Sequence, residues 1–469
     1  MPNCEAPTDL RIDHHAAQAR VLAVGSATPQ ISWKVPAADP GWRQQRYELK
    51  VTRRSGERVF QLDDSEQLFV PWPDAPLASR ESALVQVRVC GGQDWSGWSA
   101  PVEVEAGLLH DDDWQADFIS PVSGATFDDP APDLFGVWHL DAEPTAARLY
   151  VSAHGLYEIY LNGTRVGDEL LAPGWTSYHN RLRYQTHDVT SLLHAGDNEV
   201  RAVLGNGWWR GHLTWMMQRA VYGDRLALLA QLEVSEDGGA RVLVADESFR
   251  SRPSGILSND LYNGQTTDLR GGSGETVAVE KLGRVPGTLV APDGPPVRVV
   301  DVLPAATIST SPTGKLLIDF GQNLVGWVRL RVRNQPAGHA VTVKHAEVLE
   351  NGELGTRPLR NAKCTDTYFL AGKEEESLEP SFTFHGFRYA QVEGLDAVAP
   401  QDVEAVVVSS DHQRAGWFES SDELLNRFHE NVVWGMRGNF VDVPTDCPQR
   451  DERLGWTGDI QVFAPTAQF

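Results

Sequence analysis

The sequence predicts a multidomain, mainly β chain, with successive β-sandwiches and helical structure only near the end. Three observations predict it. Short runs of alternating apolar and polar residues fill most of the chain, and Gly, Pro and Ser turns divide them at regular spacing. A convincing helical periodicity occurs just once, after position 420. The length of 469 residues exceeds one ordinary core and suggests about three domains.

The first unit, 1–108, holds the runs QISWKV, RYELKVTR, RVFQL and LVQVRVC, the pattern of a small sandwich. WSGWSAPVEVEAGLL closes it, and the acidic HDDDW at 110–114 reads as the joint to the next unit. In the second unit, 109–300, ARLYVSAHGLYEIYLNGTRVG contains two strands, and Asn162 with Gly163 makes the tight turn a hairpin needs. The same residues with Thr164 spell a glycosylation sequon, but without a secretion signal the turn is the preferred reading. Gly205, Asn206 and Gly207 fall short of a dinucleotide fingerprint, because no helix pattern follows and a Trp pair comes next. SNDLYNGQTTD at 258–268 stays open between an Asn-Gly turn and an oxygen-rich cation loop.

The third unit, 301–405, contains KLLIDFGQNLVGWVRLRVRN, AVTVKHAEVLE, TDTYFLAG and SFTFHGFRYAQVEG. No fixed period relates it to the others, so these are separate sandwiches and not a repeat array. The fourth, 406–469, changes texture. Leu424, Leu425, Phe428, Val432 and Met436 recur at helical spacing, with Ser420 and Glu423 as an expected capping box.

Composition narrows the function. A net charge of −23, from 41 basic and 64 acidic side chains, repels phosphate backbones and disfavours nucleic acid, while a neutral ligand suits it. No run of about 18 apolar residues predicts a membrane span. The start, MPNCEAPTDLRIDHH, lacks the basic and apolar regions of a signal peptide. Cys4, Cys90, Cys364 and Cys447 lie far apart and match neither a metal nor a disulfide framework, so a reducing, cytoplasmic location is expected. Fifteen tryptophans serve either as sandwich core or as flat faces for sugar rings.

The chemistry concentrates in DVPTDCPQRDERLGWTGD, 442–459, where Asp442, Asp446, Asp451, Glu452 and Asp459 interleave with Arg450, Arg453 and Trp456. A solvated loop with Arg450 and Arg453 pairing Asp451 and Asp446 is the plain reading. Two prolines, two glycines and a nearby tryptophan favour a built site, in which crowded like charges push one carboxyl upward into a proton donor. The acids lack calcium-loop spacing and no His accompanies them, so no metal is expected; Cys447 has no nearby His to activate it as a nucleophile. No other cofactor motif occurs. Paired carboxylates beside a tryptophan suit glycosidic cleavage.

This string closely resembles the signature of bacterial α-L-rhamnosidases, family 78 of the glycoside hydrolases. LNGTRVGDELLAPGWTSY and LIDFGQNLVGWVRLRV agree in the family's order. The resemblance implies a fibronectin-III-like sandwich at the start, then a carbohydrate-binding-like and a concanavalin-like sandwich, then the beginning of an (α/α)6 catalytic barrel. It implies a rhamnose-containing glycoside or oligosaccharide as substrate, with Glu452 as general acid. By the same resemblance Asp446 and Asp459 hold rhamnose hydroxyls and Trp456 lines the sugar subsite; Arg450 orienting the acids is inferred from charge. The family inverts configuration, which needs a second carboxylate roughly 6.5–9.5 Å away. That base comes from a late part of the barrel, so the chain is expected to be cut short, with the base absent and hydrolysis negligible. A non-catalytic sugar-binding sandwich protein is the competing reading.

Overall fold

The computed structural model describes residues 4–236, 239–284 and 287–469; the first three residues of the expected non-signal N-terminus lie outside them. The chain folds as two compact units.

The first unit comprises residues up to 115 together with 183–187 and 288–295. Its main sheet runs Arg20–Val24, Val102–Ala106, Ser82–Cys90, Arg46–Arg53 and Gly56–Leu62. Strict alternation in Ser82–Cys90 sends Val85, Val87 and Val89 into the core beside Trp33 and Tyr47. The WSGWS segment runs along that strand's outer edge. Hydroxyls of Ser96 and Ser99 accept from Val89 N and Val87 N, at 3.0 Å each. The rings of Trp95 and Trp98 interleave with Arg46, Lys50 and Arg88, so these tryptophans are spent on cations. HDDDW forms one 3-10 turn, pinned where Asp113 accepts from Ser79 and Arg80 at 2.6 Å.

Two large sheets build the second unit. In the first, Leu156–Leu161 turns into Thr164–Arg165 through Asn162 (φ 50°) and Gly163 (φ 79°), the left-handed pair that suits the right-handed strand twist. Asn162 Nδ2 donates to Leu192 O and Asn198 Oδ1, so the amide of the sequon is engaged inside the fold. Asn206 is buried against Asn259, followed by the single helical turn Gly207–Arg210, which is no phosphate cradle.

The second sheet orders its strands Ile256–Asp260, Gly264–Asp268, Thr365–Phe369, Ala340–Ala346, His385–Glu393, Leu316–Arg333, Val403–Ser410 and Val297–Pro304. The hairpin at 256–268 therefore joins the sheet of the 301–410 segment, with Thr266–Asp268 parallel to Thr367–Phe369. Asp260 closes the hairpin as an Asx turn, accepting from Tyr262 N and Asn263 N at 3.0 Å, while its other oxygen takes His212. The turn reading of SNDLYNG is the right one, since that carboxylate is occupied by protein donors. Gly326 must be glycine: its φ is 148°, and a Cβ would sit 1.8 Å from Val406 O.

The predicted helix forms as Glu423–Asn439, but its cap differs from expectation. Asp422, not Ser420, is the N-cap, accepting from Leu424 N at 2.9 Å. Ser420 is held instead by Asn426, and a carboxylate directly before the first turn gains more from the helix dipole than a hydroxyl does. Gly438 is buried on Val325, while Leu424, Leu425 and Phe428 are 81, 50 and 65% exposed. Amides at the start of this helix are accordingly expected to exchange much faster than those of Leu316–Arg333, whose apolar side chains fill a core. Hydrogen exchange with equal protection in both would contradict this.

Candidate active site

The 442–459 segment leaves the helix through a tight bend. Phe440–Val441 pairs back on Val443–Pro444 around Asp442, whose φ is 67°. Asp442 N donates to Ser410 Oγ, and its Oδ2 accepts from Trp175 N at 2.5 Å. Next, Asp446 and Leu454 close a loop: Asp446 N donates to Leu454 O, and Leu454 N to Asp446 Oδ1, both at 3.1 Å.

Arg453 anchors that loop from below. It is 3% exposed and donates to four carbonyls, those of Leu261 (2.7 Å), Phe384 (2.8 Å), Gln449 and Arg450 (3.1 Å each). Its guanidinium also lies over the rings of Tyr262 and Phe384. The Cys364 thiol adds a bond to Gln449 O at 3.2 Å. Asp451 is fully buried, its Oδ2 accepting from Asn361 Nδ2 (2.6 Å) and Asn361 N (3.2 Å). The solvated-loop reading fails here; Arg450 does pair with Asp446, but Arg453 serves carbonyls and Asp451 takes an amide.

Above this floor sits the chemistry. Arg450 bridges Asp446 Oδ2 (2.8 Å) and Glu452 Oε2 (3.0 Å). Arg360, on the turn after Arg357–Leu359, adds a second contact to Glu452 Oε2 at 3.2 Å. Trp456 Nε1 donates to Glu452 Oε1 at 3.1 Å, and Tyr262 Oη to the Glu452 carbonyl at 2.6 Å. Asp459 is placed apart: it is exposed in the first turn of Thr457–Ala467, and no contact joins it to the others among the described residues.

Electrostatics overturn one expectation. Burial pushes the Glu452 carboxyl up, but its bonds from Arg450 and Trp456 and the charges of Arg450 and Arg360 outweigh it, holding the group below the usual carboxylate range. Counting only like charges along the loop missed Arg360, which arrives from 92 residues away. Asp446, Cys447 and Glu452 bring ligand atoms within 4.8 Å of one another, yet the donor set does not suit a metal. Arg450 already fills the gap between the two carboxylates, and burial pushes the Cys447 thiol up to about 12, far from the thiolate a metal needs. The same shift leaves Cys447 inert as a nucleophile.

Arg360, Asn361, Tyr262 and a further ring, Trp215, complete the surroundings, and nothing in the local sequence marks any of them as part of the site. Trp215 lies parallel to Trp456, at 6.1 Å between centroids.

Comparisons with known proteins cover nearly the whole chain. Profiles described as an N-terminal immunoglobulin domain (Rha78A-like), an alpha-L-rhamnosidase N-terminal domain, a bacterial alpha-L-rhamnosidase concanavalin-like domain and its 6 hairpin glycosidase domain match residues 7–110, 142–301, 309–409 and 413–469. A curated alpha-L-rhamnosidase of Streptomyces avermitilis is 45% identical over 340 residues, covering 69% of this chain and 32% of its own length. The crystal structure of an α-L-rhamnosidase from Aspergillus terreus superposes with a TM-score of 0.93 at 42% identity, over 99% of this chain and 56% of that one. A Streptomyces avermitilis α-L-rhamnosidase complexed with L-rhamnose superposes at 0.92 with 29% identity, over 98% of this chain and 63% of that one. The chain thus spans between 32 and 63% of the length of these relatives.

Proposed function

The chain belongs to the bacterial α-L-rhamnosidase family, glycoside hydrolase family 78, and from that premise we propose that its 442–459 loop is the acid side of a site that removes terminal α-L-rhamnose by inversion. The observation that carries this is the fixed carboxyl of Glu452, held at both oxygens by Arg450, Arg360 and Trp456. Cleavage needs a proton delivered to the departing oxygen from one defined direction. Glu452 is the general acid in this reading. Asp446, tied to it through Arg450, and Asp459 grip sugar hydroxyls, and Trp456 packs on the ring.

To donate at neutral pH, Glu452 must rise from its ionised state. Burial is the largest single influence on this carboxyl and opposes those bonds and charges, so a sugar that covers its remaining exposed face raises it from its lowered state. The second carboxylate is a separate matter. Asp446 comes close, but a guanidinium fills the gap, leaving no room for an anomeric carbon and water. We place the base in the part of the relatives' length that this chain does not span. The four units at 1–108, 109–300, 301–405 and 406–469 are the proposed division, and four free, buried cysteines support a reducing, cytoplasmic location.

The test is direct. The purified 469-residue chain is expected to bind L-rhamnose, yet to release 4-nitrophenol from 4-nitrophenyl α-L-rhamnopyranoside no faster than its E452Q variant. Release more than about tenfold faster than E452Q puts both carboxylates in this chain and sinks the proposed division of labour. Absence of rhamnose binding sinks the site.

A further inference from the structure

A cavity of about 640 Å³ opens within the second unit, between the segment after Phe118–Pro121, the helical turn Gly207–Arg210 and residues 219–225. Its volume lies inside the roughly 300–1,000 Å³ range of sites for small organic ligands. Arg210, Arg219 and Arg225 all line it, in a chain whose net charge is −23.

The three arginines are not equivalent. Arg225 is matched, since its Nη2 donates to Glu280, another wall residue, at 2.7 Å. Arg210 is not. It is 2% exposed; its Nε donates to Asn206 Oδ1 at 2.6 Å and its Nη1 to the carbonyls of Ala125 and Asp224. All of these acceptors are neutral. Among the described residues no ion pair reaches this guanidinium, and its Nη2 has no acceptor. Burial pulls the group down to about 10, and the charges of Asp129 and Asp224 offset only part of that. A buried cation without an anion beside it is costly, and an anion in the cavity would relieve the cost. Arg219 adds a second charge at the same wall. Its guanidinium lies 4.2 Å from the Phe127 ring centroid, and its contact with Asp128 is 3.9 Å with both side chains exposed, so that pairing is weak. Ala220 N donates to Arg210 O at 3.0 Å, which fixes the two arginine-bearing segments against each other.

The other walls indicate what carries the anion. A bare carboxylate would leave most of this volume empty. Phe127 offers an apolar face, and Asp224 is exposed, with a carboxylate that no protein donor occupies among the described residues. Water screens that exposed charge far more than the buried one, so the unmatched charge a ligand meets is positive. Hydroxyl donors suit Asp224, and membership of a saccharide-cleaving family makes a sugar the natural bearer of both groups. We infer that this cavity is a second saccharide site that takes a hexuronate unit, with the carboxylate on Arg210 and Arg219, hydroxyls on Asp224 and the apolar sugar face against Phe127. This site is independent of the reading of Glu452 as the acid.

Hydrogen exchange of the 469-residue chain, titrated with sodium D-glucuronate, D-glucose or sodium acetate at constant ionic strength, tests it. Amides at 122–127 and 219–225 are expected to slow about fivefold when glucuronate reaches about four times its dissociation constant, while those at 442–459 keep their rates. D-glucose should bind at least about tenfold more weakly, because it lacks the charge-assisted bonds. Arg219→Gln should weaken glucuronate about fivefold and leave D-glucose unchanged. Arg219 is the residue to replace because its side chain is exposed, whereas Arg210 also holds Asn206 in place. Equal protection by D-glucose removes the charge from the argument, and equal protection by acetate removes the sugar; either overturns the hexuronate site. Unchanged glucuronate binding in Arg219→Gln, or no protection by any probe, overturns it as well. Each of these failures leaves the rhamnose reading of the 442–459 loop standing.

Discussion

Arg453→Met is expected to destabilise the fold around the 442–459 loop by about 4 kcal/mol and to abolish rhamnose binding. Methionine keeps the bulk over the Tyr262 and Phe384 rings, so little of that loss comes from a cavity. What disappears is the donor set. Four carbonyls, two of them fixed in distant segments at Leu261 and Phe384, lose a donor in a site that is 3% exposed, and among the described residues only the Cys364 thiol at Gln449 O and the Thr383 hydroxyl at Leu261 O remain to replace it. Each buried acceptor left alone costs about 1–3 kcal/mol, and relaxation recovers part of it. Arg453→Lys keeps the charge without the planar fork and should recover less than half the loss. Arg450→Ala provides the contrast: its side chain is 28% exposed, so the lost ion pairs should cost only about 1 kcal/mol. Denaturant unfolding followed by tryptophan fluorescence measures all three. A loss below about 1 kcal/mol for Arg453→Met means that the loop is held by something else.

How far the sequence reveals this site follows from the range of each interaction. Asp446, Arg450, Glu452 and Trp456 meet because a Pro- and Gly-bent segment folds on itself, and the string DVPTDCPQRDERLGWTGD carries that information locally. Strands are equally legible, since period-two alternation is a property of neighbours; Val85, Val87 and Val89 go inside as their spacing demands. Partners from far away leave no local mark. Tyr262 reaches the loop across 190 residues because its hairpin pairs with Thr365–Phe369, and strand pairing between separate segments is not written in either one. Arg360 is the costliest omission, because it contributes to reversing the expected direction of the Glu452 shift. Asp459 stands apart from the cluster although it is near Trp456 in sequence, since a helix begins between them and leaves Asp459 exposed in its first turn.

The second large effect lies next to the loop, in a cluster the sequence does not announce. Cys364, whose thiol holds Gln449 O, also offers its carbonyl to His345 Nδ1 at 3.1 Å. The His345 ring stacks on that of His385, 4.2 Å between centroids, and His385 Nε2 meets Asp366 Oδ2 at 2.9 Å. All three side chains are buried. For His385, burial lowers the pKa, but the Asp366 carboxylate more than offsets it and the ring is pushed up to about 9. Burial, with the His385 charge beside it, pushes His345 down to about 3. The two histidines therefore act in opposite senses. The His385 contribution is fully present below its unfolded value of about 6.5 and is lost as pH rises toward 9; the His345 contribution is present above about 6.5 and is lost as pH falls toward 3. Between pH 6.5 and 9 the chain should lose about 3 kcal/mol. Asp366→Asn removes the charge that keeps His385 protonated, so this variant should start about 3 kcal/mol less stable at pH 6.5 and show almost none of the alkaline loss. Comparing the denaturation midpoints of both proteins at the two pH values isolates the cluster from every exposed group that titrates alongside it. Parallel losses in the two would mean that His385 is neutral in the fold. A loss confined to the original chain would mean that a buried cation and carboxylate support the strand end from which Cys364 holds the 442–459 loop, and that alkaline pH should loosen Gln449 before it unfolds the sandwich.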